Sequence, residues 1–205
     1  GNLGWNFQKG GIVYATPLVV HDKVFVGSFD GYFYALNLSD GSLIWKFKTK
    51  GNKYFPIGEI QKGATLYNQS VVFGCRDYFM YSLNIESGKL NWSKEETNSW
   101  IIAAPLLVDG LLCYGTSDSH HFQLMTAATG EIKKTFSLNM RVYAEAILLR
   151  NQVLFGCFNG KLYQVDLASN TIREIFQTDG SKRNYHSVYN EDGTFRADFK
   201  LYGND

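Results

Sequence analysis

The chain has 205 residues, of which 45% are hydrophobic and 16% aromatic, enough to bury a sizeable core in one or two domains. Its 20 basic and 19 acidic residues leave a formal net charge of +1 spread along the chain, which excludes a field strong enough to gather nucleic acid or anionic lipid. No apolar run approaches the roughly 20 residues that span a bilayer, and Cys75, Cys113 and Cys157, odd in number and without a CxxC or a histidine cluster, argue against a zinc site or a disulfide framework. With 13 tyrosines and 15 phenylalanines against 3 methionines, and 20 glycines against 3 prolines, the composition favours strands joined by glycine turns. The opening Gly1-Asn2-Leu3-Gly4 has no basic start or signal-like stretch, and a leading glycine is what a cleavage leaves behind.

In chain order, the first element is Trp5-Asn6-Phe7, which matches Trp45-Lys46-Phe47 at an interval of 40 residues and predicts a strand over residues 3–8. Four strand-like pieces follow, at residues 15–20, 23–28, 32–37 and 42–49, with turns between them. The hairpin inside this stretch, Gly27-Ser-Phe-Asp-Gly-Tyr-Phe-Tyr-Ala-Leu-Asn37, returns three times: from Gly74 to Asn84, from Gly115 to Met125 and from Gly156 to Asp166. The leading glycines Gly27, Gly74, Gly115 and Gly156 are 47, 41 and 41 residues apart. A period near 40 holding several short strands is the size of a propeller blade. The expected fold is therefore all-β, a β-propeller of four-stranded antiparallel blades at about residues 12–50, 54–97, 100–138 and 141–178, preceded by the last strand of another blade.

Equivalent positions carry equivalent chemistry. Val24-Phe25-Val26, Val71-Val72-Phe73, Leu111-Leu112-Cys113 and Val153-Leu154-Phe155 are continuous apolar runs, as expected of central strands covered on both faces. Asp30-Gly31 and Asn159-Gly160 suit hairpin turns with positive φ, and Asp77-Tyr78 and Asp118-Ser119 fill the slot without glycine. Trp45 and Trp92 close the first two repeats four residues after Gly41 and Gly88; Lys134 and Glu174 stand there in the last two, while Phe136 and Phe176 keep an aromatic two residues on. From Ser181 the rhythm breaks. Asn190-Glu-Asp-Gly193, flanked by Val188-Tyr189 and Thr194-Phe195, reads as a hairpin or insertion loop, so residues 179–205 are expected to form an extension rather than a blade.

At these residues the sequence resembles the pyrroloquinoline-quinone (PQQ) type of propeller repeat, which opens on a small residue and Pro, continues through Gly-x-x-Asp-Gly-x-aromatic-Tyr-Ala-Leu and closes on Thr-Gly-x-x-x-Trp. The stretch from Ala15-Thr-Pro17 to Trp45-Lys-Phe47 is a near-complete match, and the resemblance runs from Trp5 to about Thr178. The family includes quinoprotein dehydrogenases, an outer-membrane assembly lipoprotein, extracellular binding proteins and propellers fused to kinases or metallophosphoesterases, so the resemblance specifies the fold far better than the activity. Quinoprotein members carry an adjacent cysteine pair, a calcium-binding acidic set and a catalytic aspartate; this chain has no Cys-Cys, and no cofactor is expected. Family rings usually hold seven or eight blades, more than 205 residues can supply. The resemblance thus implies a fragment or accessory domain of a larger bacterial protein, periplasmic or extracellular.

No catalytic constellation is visible. His120 and His121 are neighbours on a strand and point to opposite faces, away from a shared metal, while His21 and His186 have no partner implied by spacing. Cys75 and Cys157 share a slot with Ser28 and Thr116, as in a packed small-residue position, and a bond between them is not expected. Asp30, Asp77, Asp118 and Asn159 are read as turn residues rather than a calcium set. The expected binding surface is the funnel where the innermost strands begin, lined by Tyr14, Gln61, Tyr143 and Glu145, with Tyr54 and Trp100 slightly upstream. Aromatics with a few polar anchors suit a sugar, peptide or small organic ligand. The function expected is a non-catalytic binding or scaffolding module for a protein partner or a fused catalytic domain. The alternatives are an accessory domain of a hydrolase or quinoprotein and a glycan-binding module. An incomplete ring is further expected to close with its C-terminal segment or to pair with a second copy.

Overall fold

The computed structural model describes residues 4–8, 11–192 and 194–198. Among the described residues sixteen strands form four antiparallel sheets, each a meander in chain order. The first holds β1 (Leu18–Val20), β2 (Lys23–Gly27), β3 (Tyr32–Asn37) and β4 (Leu43–Lys48); the second β5 (Thr65–Tyr67), β6 (Ser70–Gly74), β7 (Phe79–Asn84) and β8 (Leu90–Glu95). The third holds β9 (Leu106–Val108), β10 (Leu111–Gly115), β11 (His121–Thr126) and β12 (Ile132–Ser137); the fourth β13 (Ile147–Leu149), β14 (Gln152–Cys157), β15 (Lys161–Asp166) and β16 (Thr171–Gln177). These are the blades of a β-propeller. The central strands are buried on both faces, as their unbroken apolar runs require: Val71, Val72 and Phe73 have no exposed surface.

Adjacent blades meet through aromatic stacks. Phe33 lies flat on Phe73 (4.2 Å between centroids, 4° between planes) and Phe122 on Phe155 (3.8 Å, 3°), while Met80 packs with Tyr114 at the middle interface. At the outer edge the tryptophans act as wedges. Trp45 Nε1–H donates to the Ile85 carbonyl of the next blade (3.0 Å) and Trp92 Nε1–H to that of Ala127 (3.1 Å). Each indole lies against a glycine in the turn before the next outer strand, where a Cβ would stand 2.6 Å from Trp45 at Gly88 and 2.7 Å from Trp92 at Gly130. A bulge between Ala35 and Leu36, and its counterpart between Ser82 and Leu83, sets the tryptophan's register.

Four findings refine the sequence reading. Residues 4–8 form no strand, although Trp5 still docks as the later tryptophans do, over Gly41 with Nε1–H donating to Leu38 O (2.8 Å). The third hairpin has one residue more than the others: Gly115 pairs with Phe122, where Gly27 pairs with Phe33, so positive φ falls on His120 and Gln123 takes the place of Tyr34. In the fourth sheet the bulge has moved outward, so Arg173 rather than Glu174 lies opposite Gln164. Finally, the tail begins with a helix, α1 (Asp179–Val188), before the turn that joins Tyr189 to Phe195; Gly193 itself, like residues 1–3 and 199–205, lies outside the described residues. Thr178 caps α1 by accepting the Ser181 N–H, and Tyr185 buries itself against the third and fourth blades.

The slot shared by Ser28, Cys75, Thr116 and Cys157 does more than fill space. Ser28 Oγ accepts the backbone N–H of Gly11 and Asp30, Thr116 Oγ1 that of His121, and the two thiols approach the carbonyls of Glu59 and Arg141. Desolvation raises the pKa of all three thiols, with Cys113 pushed up to about 12. They are inert packing groups.

Candidate functional site

The hairpins between second and third strands and the segments that lead into each blade converge on one end of the arc. Phe29, Arg76, Ser117 and Phe158 hold the same place in the four hairpins, and their N–H groups donate to Ile12, Glu59, Trp100 and Arg141 of the leading segments. This ladder repeats blade by blade, so the side chains at these positions surround a common mouth. Tyr14 packs on Phe29 in the first blade (5.2 Å) and Tyr143 on Phe158 in the fourth (4.9 Å), forming two matching pairs of rings. Tyr14 and Phe158 are more than half exposed.

Between them stands Arg76. Its guanidinium lies 4.6 Å from the Trp100 ring, 5.0 Å from Phe55 and 6.0 Å from Phe29, and Phe55 meets Trp100 edge to face. The longer first spacing, 47 residues instead of 41, is the loop that brings in Phe55; Asn52 Oδ1 fixes that loop by accepting the N–H of Tyr54 and Phe55. Burial raises the pKa of Tyr143; the Arg141 cation lowers it, Asp118 raises it and Arg76 lowers it, which places these groups together at the mouth.

The aspartates behave in two ways. Asp77, with no exposed surface, accepts the N–H of Phe79 and Gly51 and the Tyr81 hydroxyl (2.6 Å), and Asp30 likewise holds the N–H of Tyr32 and the hydroxyl of Tyr34. Asn159 holds the same partners with one bond reversed: its Oδ1 accepts the Lys161 N–H, while its Nδ2 donates to the Tyr163 hydroxyl oxygen (2.8 Å). Asp118 does not, because the third hairpin has Gln123 in the tyrosine's place; its carboxylate accepts Nε and Nη2 of Arg141 (3.1 and 2.9 Å) instead.

The sequence-predicted residues separate into two levels. Tyr14, Trp100 and Tyr143 belong to the aromatic mouth, and Tyr54 stands at its exposed edge on the Asn52 turn, with Lys53 over its ring. Glu145 instead pairs with Lys62 (3.7 Å), joining the second and fourth blades, and Gln61 lies next to that lysine. Arg76, Phe29, Phe55, Phe158, Arg141 and Glu59 were not singled out by sequence. The available signal was a bulky or charged residue immediately before the turn Asp or Asn, as in Phe29-Asp30, Arg76-Asp77 and Phe158-Asn159, where a small polar residue is the usual choice.

Near the third hairpin, buried Glu96 accepts Ser119 Oγ (3.0 Å) and stands 3.4 Å from His121 Nδ1. The serine addresses the carboxylate and not the imidazole, which is not the order of a nucleophile activated by a base. Among the described residues no three His, Cys, Asp or Glu side chains gather as metal ligands, and the three single, buried cysteines are not the adjacent pair of the quinoprotein members. The residues do not fit PQQ and its calcium. A separate hollow of about 660 Å³ lies on the open face of the first blade, between Trp5 and Phe7 and the strand residues Val24, Val26 and Tyr34.

Four-stranded blades, tryptophan wedges and this axial mouth define a propeller of the PQQ-like class. The family model described as outer membrane protein assembly factor BamB matches residues 1–95 and 60–194, and the chain belongs to that family. Among solved structures it is similar to BamB from Moraxella catarrhalis, with a TM-score of 0.70 and 15% identity over 82% of this chain and 51% of that one. It is also similar to the quinohemoprotein alcohol dehydrogenase ADHIIG from Pseudomonas putida HK5 (0.73, 16%, 88% and 36%) and to the computationally designed Ika4 protein (0.65, 16%, 87% and 99%). At these identities the likeness is one of fold. The chain spans about half the length of the BamB structure, and no curated protein matches it.

Proposed function

We propose that this chain is a non-catalytic propeller module that holds a partner at its axial mouth. The observation that carries the reading is the repeated pair of rings, Tyr14 on Phe29 and Tyr143 on Phe158, flanking Arg76 and Trp100. Exposed aromatics around a few polar anchors are what recognition surfaces use. Family membership and the likeness to an outer-membrane assembly factor support a protein partner and an exported, periplasmic or extracellular setting, with the chain acting as one part of a larger propeller. No helix among the described residues is long and apolar enough to cross a membrane.

Site-specific photo-crosslinking in the native host tests this. A crosslinker at position 14, 143 or 158 is expected to capture one discrete partner, and one at position 43 or 90 on the outer strands is not. Capture at the outer strands alone, or equally everywhere, would remove the mouth from the reading.

A further inference from the structure

The mouth contains a cation, Arg76, that the described residues leave without an ion-pair partner. Among the same residues its enclosed Nε has no hydrogen-bond partner. Arg141, the other arginine at the mouth, is by contrast committed to Asp118 through two hydrogen bonds. Three rings, Phe29, Phe55 and Trp100, hold the Arg76 guanidinium in place, so little entropy is lost when its fork meets a planar acceptor. Partial burial makes an unpaired charge costly, and a ligand carboxylate offsets that cost through short, bidentate contacts. Glu59, whose carbonyl accepts the Arg76 N–H, also has an enclosed carboxylate oxygen, Oε2, with no partner, so the same neighbourhood has an acceptor in want of a donor.

Resting on the mouth as the binding surface, we propose that its ligand is an extended peptide that sets a carboxylate, side-chain or C-terminal, on Arg76 and lays apolar side chains against the Tyr14–Phe29 and Tyr143–Phe158 pairs. A peptide supplies both the acceptor that Arg76 lacks and N–H donors suited to Glu59. A polyanion is a poorer match, because Glu59 and Asp118 stand around the same opening and the chain carries only +1 overall. A neutral glycan would stack on the rings and leave the arginine unpaired.

The test is selection of a random heptapeptide display library on the whole chain and on Arg76→Gln, Arg76→Lys and Tyr143→Ala variants, each shown to be folded by its thermal transition. The expected winners carry Asp, Glu or a free C-terminal carboxylate beside apolar residues. Their binding should fall at least tenfold in Arg76→Gln, and exchanging the acid for its amide should cause a similar loss. Arg76→Lys, which keeps the charge but not the planar stack, should fall between, and remains informative if the Gln variant does not fold. Winners without acidic bias that still need Tyr143 would overturn the acidic class and leave the mouth as a binding surface. No winners at all, or winners indifferent to both Arg76 and Tyr143, would overturn the proposal and the mouth with it. Binding of glucuronate oligosaccharides that depends on Arg76, with no peptide selected, would overturn the peptide.

Discussion

The first two interfaces between blades and the third are built differently at their outer edge. At the first two, an indole on the outer strand inserts beside a glycine of the next blade and hydrogen-bonds its carbonyl. At the third, Lys134 stands in the tryptophan's place, and the facing turn has Asn170, at φ 53°, instead of glycine. Wedge and notch disappear together. A glycine there answers both to the turn's positive φ and to the ring that a Cβ would strike; once the ring is gone only the φ requirement remains, and asparagine meets it. The third interface depends instead on the Phe122–Phe155 stack and on Tyr185 of α1.

The largest expected effect breaks a wedge. Trp45→Ala should cost about 3 kcal/mol, as for a large aromatic truncated in a packed site, whereas Lys134→Ala should stay within about 0.5 kcal/mol. Gly88→Ala should cost about 2 kcal/mol or more beside Trp45 and nearer 1 kcal/mol, the φ strain alone, in a Trp45→Ala background. Urea unfolding of the double-mutant cycle reads this coupling, and additive penalties would show that indole and glycine do not interact as a unit.

A smaller contrast separates the turn aspartates. Asp77→Asn weakens bonds to two backbone N–H groups and a hydroxyl in a fully buried site and should cost about 1.5–3 kcal/mol. Asp118→Asn removes a half-exposed ion pair and should cost at most about 1 kcal/mol. Equal losses would mean that the third hairpin depends on Asp118 as much as the second does on Asp77.

This pair also marks how far the sequence could be read. The motif Gly-x-x-Asp was visible in three repeats, with Asn159 in its place in the fourth, and so were the strands and the tryptophan positions, because each follows from local periodicity and turn chemistry. That Asp118 serves another purpose was hidden: the extra residue is absorbed without changing the 41-residue spacing, and only strand register shows that Phe122, not His121, faces Gly115. Helix α1 was illegible for a different reason. Asn184, His186, Ser187 and Val188 are indifferent helix formers, and the helix persists through the Thr178 cap and the docking of Tyr185, a tertiary contact. Arg76 was missed because its surroundings come from Phe29, Phe55 and Trp100, far apart in sequence and joined only when blades stack.

The open face of the fourth blade offers the finest comparison with the wedged interfaces. Arg173 donates to Gln164, Gln164 to Gln152, and Gln152 to Asp166, a chain of hydrogen bonds across three strands where the first blade places Trp45 and Ala35. The Gln152 amide and the N–H groups of Ser169 and Ala168 hold the Asp166 carboxyl down at about 2. A depressed folded value means that the unfolded chain takes up the proton first, so this contribution is whole above the usual carboxylate value of about 3.9 and fades as pH falls toward 2. Asn37 and Asn84, at the same position in the first two blades, do not titrate. Hydrogen exchange at pH 3 against pH 6, corrected for intrinsic rates, should therefore show β15 and β16 opening more readily at the lower pH while β3 and β4 change less, and Asp166→Asn should remove that difference; uniform loosening of all four blades would assign the acid sensitivity elsewhere.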